Sequence, residues 1–268
     1  MIVGADFSYR VGFRADDSDP VQRDLDELYR YGADFTTRVL HRSRMNLFSL
    51  MMRDLIARGL VNQFGKALDV GCNAGAYSRM MSELGFDSVL GIDVDTEAIE
   101  RARATFASES PSVRFEVRSA EEIDSTGVYD LVLCTEVIEH TREPTRVVQA
   151  IKAAVSPGGV VVVSLPNRIS LPYLLHYLSY RLHARPLDSE FREHLAYPFN
   201  RSLRLFDDPK LRRVATSGTN LIFDTFVLKH VHLRPWFPRL NEANFRISGK
   251  WPFKYASQFF FIAFKRRS

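Results

Sequence analysis

The segment Leu68-Asp69-Val70-Gly71-Cys72-Asn73-Ala74-Gly75 decides the fold. It leaves a short apolar run, Ala67–Val70, through a glycine-rich turn. It then enters a helical pattern carried by Tyr77, Met80, Met81 and Leu84 and closed by Gly85. Glycines at such a turn let a ligand approach the backbone, and Asn73 tolerates a left-handed conformation better than most residues. Asp93 follows 22 residues after Gly71, at the end of a second apolar run, Val89–Ile92. A carboxylate there can accept hydrogen bonds from both ribose hydroxyls of a nucleotide-like cofactor.

Outward from this pair the pattern repeats. Asp95 suits the N-cap of a helix carrying Ile99, Ala102 and Phe106. Val113, Phe115 and Val117 alternate as a third strand, and Leu131–Cys134 reads as a fourth. Pro144 suits the first turn of a helix with Val147, Val148, Ile151 and Val155. Ser156-Pro157-Gly158-Gly159 reads as a turn before a fifth strand, Val160–Val163. Strands alternating with helices across short connections predict an α/β, Rossmann-like fold. Its sheet is mostly parallel and covered by helices on both faces, and ligands bind at the carboxyl ends of the strands. Upstream, Val39, Leu40, Leu47, Leu50, Met51, Ile56 and Leu60 recur near helical spacing, with Gly59 and Gly65 closing that helix.

Two cofactors compete for the turn. A dinucleotide site wants G-x-G-x-x-G/A, but aligned on Gly71 the chain offers Gly71, Asn73 and Ala76, so the middle glycine is missing. S-adenosylmethionine carries a sulfonium and a zwitterionic amino-acid end, and Asp69 before the turn suits that positive charge. Residues 67–168 resemble the class I S-adenosylmethionine-dependent methyltransferases, in the ubiquinone-biosynthesis O-methyltransferase-like branch (type 11/12). The segments that carry the resemblance are LDVGCNAG at 68–75, GIDVD at 91–95, RSAEEI at 118–123, YDLVLCTEVIEH at 129–140 and SPGGVVVVSLPNR at 156–168.

The resemblance implies a seven-stranded sheet and a role for each matching position. Asp69, Gly71, Cys72, Asn73 and Gly75 would wrap the methionine part, and Asp93 would hold the ribose. Val94 would pack on an adenine face, and Ser119 and Ala120 would meet the adenine edge. Cys134 and Thr135 would line the methionine end. Asn73 stands where the family often has Gly, and Ser119 where it often has Asp; Glu121 is the expected substitute at the adenine amino group. Cys72 and Cys134 read as small packing residues beside the turn, not as catalytic thiols.

Glu136-Val137-Ile138-Glu139-His140 follows the fourth strand, where this family delivers the methyl group. Methyl transfer mainly needs alignment of nucleophile, methyl and sulfur. An oxygen nucleophile also gains from losing its proton, and His140, with Glu136 beside it, is the candidate general base. The E-x-x-E-H pattern, with P-N-R at 166–168 and the later Glu193-His194, also resembles the small-RNA 3′-terminal 2′-O-methyltransferases. That resemblance implies a divalent ion such as Mg held by Glu136, Glu139, His140 and His194. His41, His176, His183, His230 and His232 have no comparable context and read as structural or surface residues.

After Arg168 the alternation stops. The domain reads as one methyltransferase unit over 1–268: an N-terminal arm and helical cap to residue 65, and a cofactor-binding core over 66–168. An insertion over 169–222 would roof the acceptor site, and 223–268 would hold the final strands, about Asp224–Val231 and Gln258–Lys265. Ile169–Leu182 is unusually apolar and aromatic, which fits a lid, a membrane-surface helix or a homodimer contact. Arg181, Arg185, Arg192, Arg201, Arg204, Arg212 and Arg213 follow it.

The last hundred residues carry 17 Lys+Arg against 7 Asp+Glu, whereas residues 1–168 carry 19 against 25. An aromatic lid with arginines behind it fits a small acceptor that is anionic or amphiphilic. RNA fits less well, since the sequence offers no separate RNA-binding module.

Composition sets outer bounds. With 268 residues, 46% of them hydrophobic, the chain can bury a core without disulfides, and two cysteines exclude a disulfide-rich secreted module. The N-terminal stretch has no apolar run of signal-peptide type, and the longest apolar runs are strand-sized, so the expectation is a cytoplasmic enzyme. The expected activity is methylation of an oxygen on an aromatic, sugar or lipid-linked small molecule. The rivals are a metal-dependent 2′-O-methyltransferase acting on RNA 3′ ends and a non-catalytic S-adenosylmethionine-binding partner protein.

Overall fold

The computed structural model describes residues 35–106, 111–167, 203–219 and 259–268, with isolated positions between 170 and 257. The helix α1 spans Phe35–Ala57, and Gly59 closes it in a left-handed conformation at φ 64°. The strands and helices then alternate: β1 Lys66–Val70, α2 Ala76–Glu83, β2 Ser88–Asp93, α3 Thr96–Phe106, β3 Val113–Val117, β4 Tyr129–Thr135, α4 Pro144–Ala154 and β5 Val155–Pro166. The chain ends in β6, Leu211–Thr219, and β7, Phe259–Arg266.

The seven strands lie in the order β3-β2-β1-β4-β5-β7-β6. β1 pairs parallel with both β2 and β4, so the strand order reverses between β1 and β4. The registers Val70↔Ile92 and Val70↔Cys134 bring the carboxyl ends of these three strands side by side. That is where an open α/β sheet leaves a crevice, because the helices leaving β1 and β4 depart to opposite faces.

Period-2 alternation sorts the core onto two faces. Leu131, Leu133, Val160 and Val162 face a cluster with α1, α2 and α3, whereas Val132, Cys134, Val161 and Val163 face α4. On α1, Met45, Leu47, Phe48, Met51, Met52 and Leu55 are all fully buried or nearly so. Each such side chain contributes about 1.5–3 kcal/mol when buried. Together they fix α1 on the sheet, and so fix the position of the polar residues near its start.

Two expectations need correction. The Ser156–Gly159 turn is absorbed into β5: Tyr129 pairs with Val155 and Leu131 with Val160, so the extra residues form an irregularity inside one long strand that also takes Val155 from the helix. The sixth strand, Leu211–Thr219, lies inside the span read as an insertion. It pairs antiparallel with β7, whose antiparallel run beside β5 begins at Phe259 as the sequence suggests. The expected strand Asp224–Val231 and the first 34 residues lie outside the described residues.

Candidate active site

A cavity of about 740 Å³ opens at the carboxyl ends of β1, β2 and β4, in the crevice at the reversal of strand order. Its two ends are built differently.

At one end Asp93 organises the backbone. Its Oδ2 accepts the Asn73 N–H at 2.8 Å and its Oδ1 accepts the Asp95 N–H at 3.0 Å. Each carboxylate oxygen keeps a second lone pair for a ligand. Asn73 is left-handed at φ 47° and its side chain accepts the Ala74 N–H at 2.7 Å, which shows how Asn serves where the family often has Gly. Val94 is 69% exposed on the cavity wall, available to a flat ring.

Ser119 and Glu122 form a reciprocal capping box over the short helix Ala120–Glu122. Glu121 receives the Arg142 and Glu143 amides on Oε1, at 3.1 and 3.2 Å, and the Ser119 hydroxyl on Oε2 at 3.0 Å. Those backbone and hydroxyl donors hold its carboxyl below the usual range. The carboxylate therefore ties the β3 loop to the start of α4.

The other end is assembled from distant elements. Arg44, from α1, places Nη1 3.2 Å from Glu136 Oε2, and its guanidinium stacks 5.2 Å from the centre of the Phe259 ring. Glu136 is left-handed at φ 53°, a costly conformation for a residue with a side chain. Ser164 on β5 holds it there: the Ser164 hydroxyl accepts the Glu136 N–H at 2.9 Å and donates to Oε1 at 2.6 Å. His41 and Tyr77 complete this wall, their rings edge to face at 6.1 Å. Burial pushes the Tyr77 phenol pKa up, with the Arg44 charge opposing.

Beneath the cavity lies a buried floor. Asp69 is fully buried and accepts the Ser78 hydroxyl at 2.7 Å, while its Oδ1 has no hydrogen-bond partner among the described residues. Burial, opposed by that hydrogen bond and reinforced by the nearby Asp93 charge, raises its pKa to about 7. Gly71, at φ 71°, leaves no room for a side chain, since a Cβ would collide with Val137. A Cβ on Gly75 would lie 2.6 Å from the Phe115 ring. Cys134 is fully buried, and burial raises its thiol well above the usual range.

Nine expected cofactor residues line the cavity: Gly71, Cys72, Asn73, Asp93, Val94, Ser119, Ala120, Glu121 and Thr135. Asp69, Gly75 and Cys134 do not line it. Of the E-x-x-E-H residues, Glu136 and an exposed His140 line the cavity. Glu139 turns inward and is 5% exposed, with neither carboxylate oxygen hydrogen-bonded among the described residues. Burial, then the Glu136 charge, pushes its pKa well up. His194 lies outside the described residues, and the described residues gather no cluster of three metal-ligating side chains.

His41, read from the sequence as structural or surface, is 7% exposed and lines the cavity, as do Arg44 and Tyr77. One signal for the first two was present. His41 and Arg44 fall at helical spacing on the stripe that continues through Met45 and Phe48, where only apolar residues are expected.

Comparison with known proteins follows this geometry. Residues 42–216, well over half of the chain, match the family described as Methyltransferase domain. The chain belongs to the class I methyltransferases. Residues of the methyltransferase are 35% identical over 114 residues to the ubiquinone biosynthesis O-methyltransferase of Colwellia psychrerythraea, covering 42% of this chain and 46% of that one. The Bordetella avium protein of the same name is 34% identical over 137 residues, covering 50% of this chain and 56% of that one. The methyltransferase thus spans about half the length of the curated relatives it matches. An S-adenosylmethionine dependent methyltransferase from Mesorhizobium loti shares the fold at a TM-score of 0.52 and 18% identity, over 78% of this chain and 95% of that one.

The residues present fit S-adenosylmethionine. Asp93 offers lone pairs to two hydroxyls, the bare Gly71 turn admits a ligand against the backbone, and charged side chains wait at the far end. Among the described residues no helix is long and apolar enough to cross a membrane.

Proposed function

We propose that this methyltransferase methylates an oxygen of a small aromatic, sugar or lipid-linked molecule. The observation that carries the reading is the placement of His140. It stands exposed on the wall of the cavity that also holds Asp93 and Gly71, at the end of the short helix Ile138–His140 that follows β4. S-adenosylmethionine, when bound, supplies an activated methyl group on a sulfonium that leaves as a neutral thioether.

The protein's part is positional and acid–base. Asp93 holds the ribose hydroxyls, Val94 covers a ring face, and the Gly71–Asn73 backbone borders the chain that leads to the sulfur. His140 accepts the proton of the acceptor hydroxyl as that oxygen becomes a nucleophile. Relatives named as ubiquinone biosynthesis O-methyltransferases favour oxygen as the acceptor atom.

The test is methyl transfer to a panel of catechols, phenols and sugars, with S-adenosylhomocysteine and the O-methyl product measured together. His140→Ala is expected to lower kcat by about 100-fold while S-adenosylhomocysteine affinity stays within about twofold of wild type. Transfer only to nitrogen acceptors, or a His140→Ala enzyme at full rate, would overturn the proposal.

A further inference from the structure

Resting on the reading of His140 as the base, we propose that Glu121 is a positioning residue: it ties the loop that carries His140 to the adenine edge of the cavity and is not itself an adenine contact. The sequence placed Glu121 opposite the adenine amino group. The structure engages its carboxylate elsewhere. Oε1 accepts the Arg142 and Glu143 amides at 3.1 and 3.2 Å, and Oε2 accepts the Ser119 hydroxyl at 3.0 Å. Three donors from two segments of chain hold one carboxylate in one orientation.

The chain from Glu136 to Glu143 bears His140 between two anchors. At its start the Glu136 N–H donates to the Ser164 hydroxyl on β5 at 2.9 Å. At its end the Arg142 and Glu143 amides donate to Glu121, 21 and 22 residues earlier in the chain. Between the anchors the chain turns through the short helix Ile138–His140, and the Thr141 hydroxyl closes that turn on the Ile138 carbonyl at 2.9 Å. Arg142 and Glu143 are exposed, and Glu143, the N-cap of α4, makes no side-chain cap bond. The path of the loop into α4 therefore rests on Glu121 and on the buried Pro144. On its other side Glu121 is tied to Ser119, whose hydroxyl also accepts the Glu121 N–H at 3.2 Å. Ser119, Ala120 and Glu121 share the cavity wall with His140, Thr141 and Arg142. A charged acceptor holds amides more firmly than a neutral one, and methyl transfer is sensitive to displacements of about 1 Å in the groups that align it.

Three measurements separate positioning from adenine contact and from a merely structural tie. 5′-Methylthioadenosine carries the adenosine and sulfur of S-adenosylhomocysteine without the amino-acid end; 5′-methylthioinosine has an oxo group in place of the adenine amino group. Glu121→Ala is expected to lower kcat about 10-fold. The ratio of its affinities for the two nucleosides should stay within about twofold of wild type by calorimetry, and their binding also reports that the variant is folded. Glu121→Gln keeps an oxygen for the two amides and should recover most of the lost rate. In a double-mutant cycle, Glu121→Ala should lower kcat by less than about twofold in the His140→Ala background, because Glu121 acts through His140. The His140 ring signal in NMR, identified by its loss in His140→Ala, should move in Glu121→Ala and return in Glu121→Gln, with or without an acceptor.

Additive losses in the cycle, an unchanged kcat in Glu121→Ala or an unmoved His140 signal would overturn the inference. So would a nucleoside ratio that falls toward one in Glu121→Ala, which would return Glu121 to the adenine amino group. His140→Ala at full rate is a separate result, and it would bring down the base reading and this inference with it.

Discussion

The Asp93 end of the cavity and the Arg44 end are built by different means. The first draws on one stretch of chain. Asp93 takes amides from Asn73, 20 residues before it, and from Asp95, and Glu121 takes the Ser119 hydroxyl and the Arg142 and Glu143 amides, so all of these contacts lie within residues 73–143. The second is global. Arg44, Glu136, Ser164 and Phe259 come from α1, β4's exit, β5 and β7, and meet only because the sheet order brings them together. A local site survives as a motif, whereas a site built across the sheet depends on the packing of α1.

The sharpest way to break this comparison is at the turn that joins the two ends. Gly71→Ala puts a Cβ against Val137 at a residue with φ 71°. Overpacking and an αL backbone together cost about 3–5 kcal/mol. Both S-adenosylhomocysteine and 5′-methylthioadenosine should lose more than about 100-fold in affinity by calorimetry. A variant that binds either ligand normally would show that the ends do not depend on the shared turn.

The next effect lies at the buried Asp69. Asp69 has a folded pKa of about 7 against an ordinary value of 3.8. Its carboxyl is therefore uncharged in the fold below about pH 7 while the unfolded chain already ionises. The sign follows: the favourable balance present below pH 3.8 is lost as pH rises to about 7. Asp69→Asn keeps an acceptor for Ser78 and removes the titration. Denaturation curves between pH 4 and 8 should show the wild type losing about 3 kcal/mol relative to the variant across that window. Parallel curves would mean that Asp69 ionises freely in the folded protein.

A smaller change sharpens the contrast. Asp93→Ala removes the acceptor of two backbone amides and, on the proposed cofactor reading, the group that would hold the ribose. Affinity for S-adenosylhomocysteine and 5′-methylthioadenosine should fall alike, by about 30-fold. Unequal losses would mean that Asp93 reaches the amino-acid end, and the division of the cavity would dissolve.

The sequence by itself determined the alternation of strands and helices and the crevice at the turn after β1, and it named nine of the residues that line the cavity. Each of these rests on residues close together in the chain, where hydrophobic period, glycine geometry and short-range capping act directly. His140 and Glu136 were legible for the same reason, as neighbours at a strand exit. Tertiary structure alone decided that Glu139 turns inward while Glu136 faces the cavity, because a left-handed backbone held by Ser164 sets which way each points. It also decided that Leu211–Thr219 completes the sheet and that His41 and Arg44 line the cavity. On a helix wheel those two are polar residues on an apolar stripe. Only the burial of Met45, Phe48 and Met52 against the sheet converts that position into a wall of the cavity.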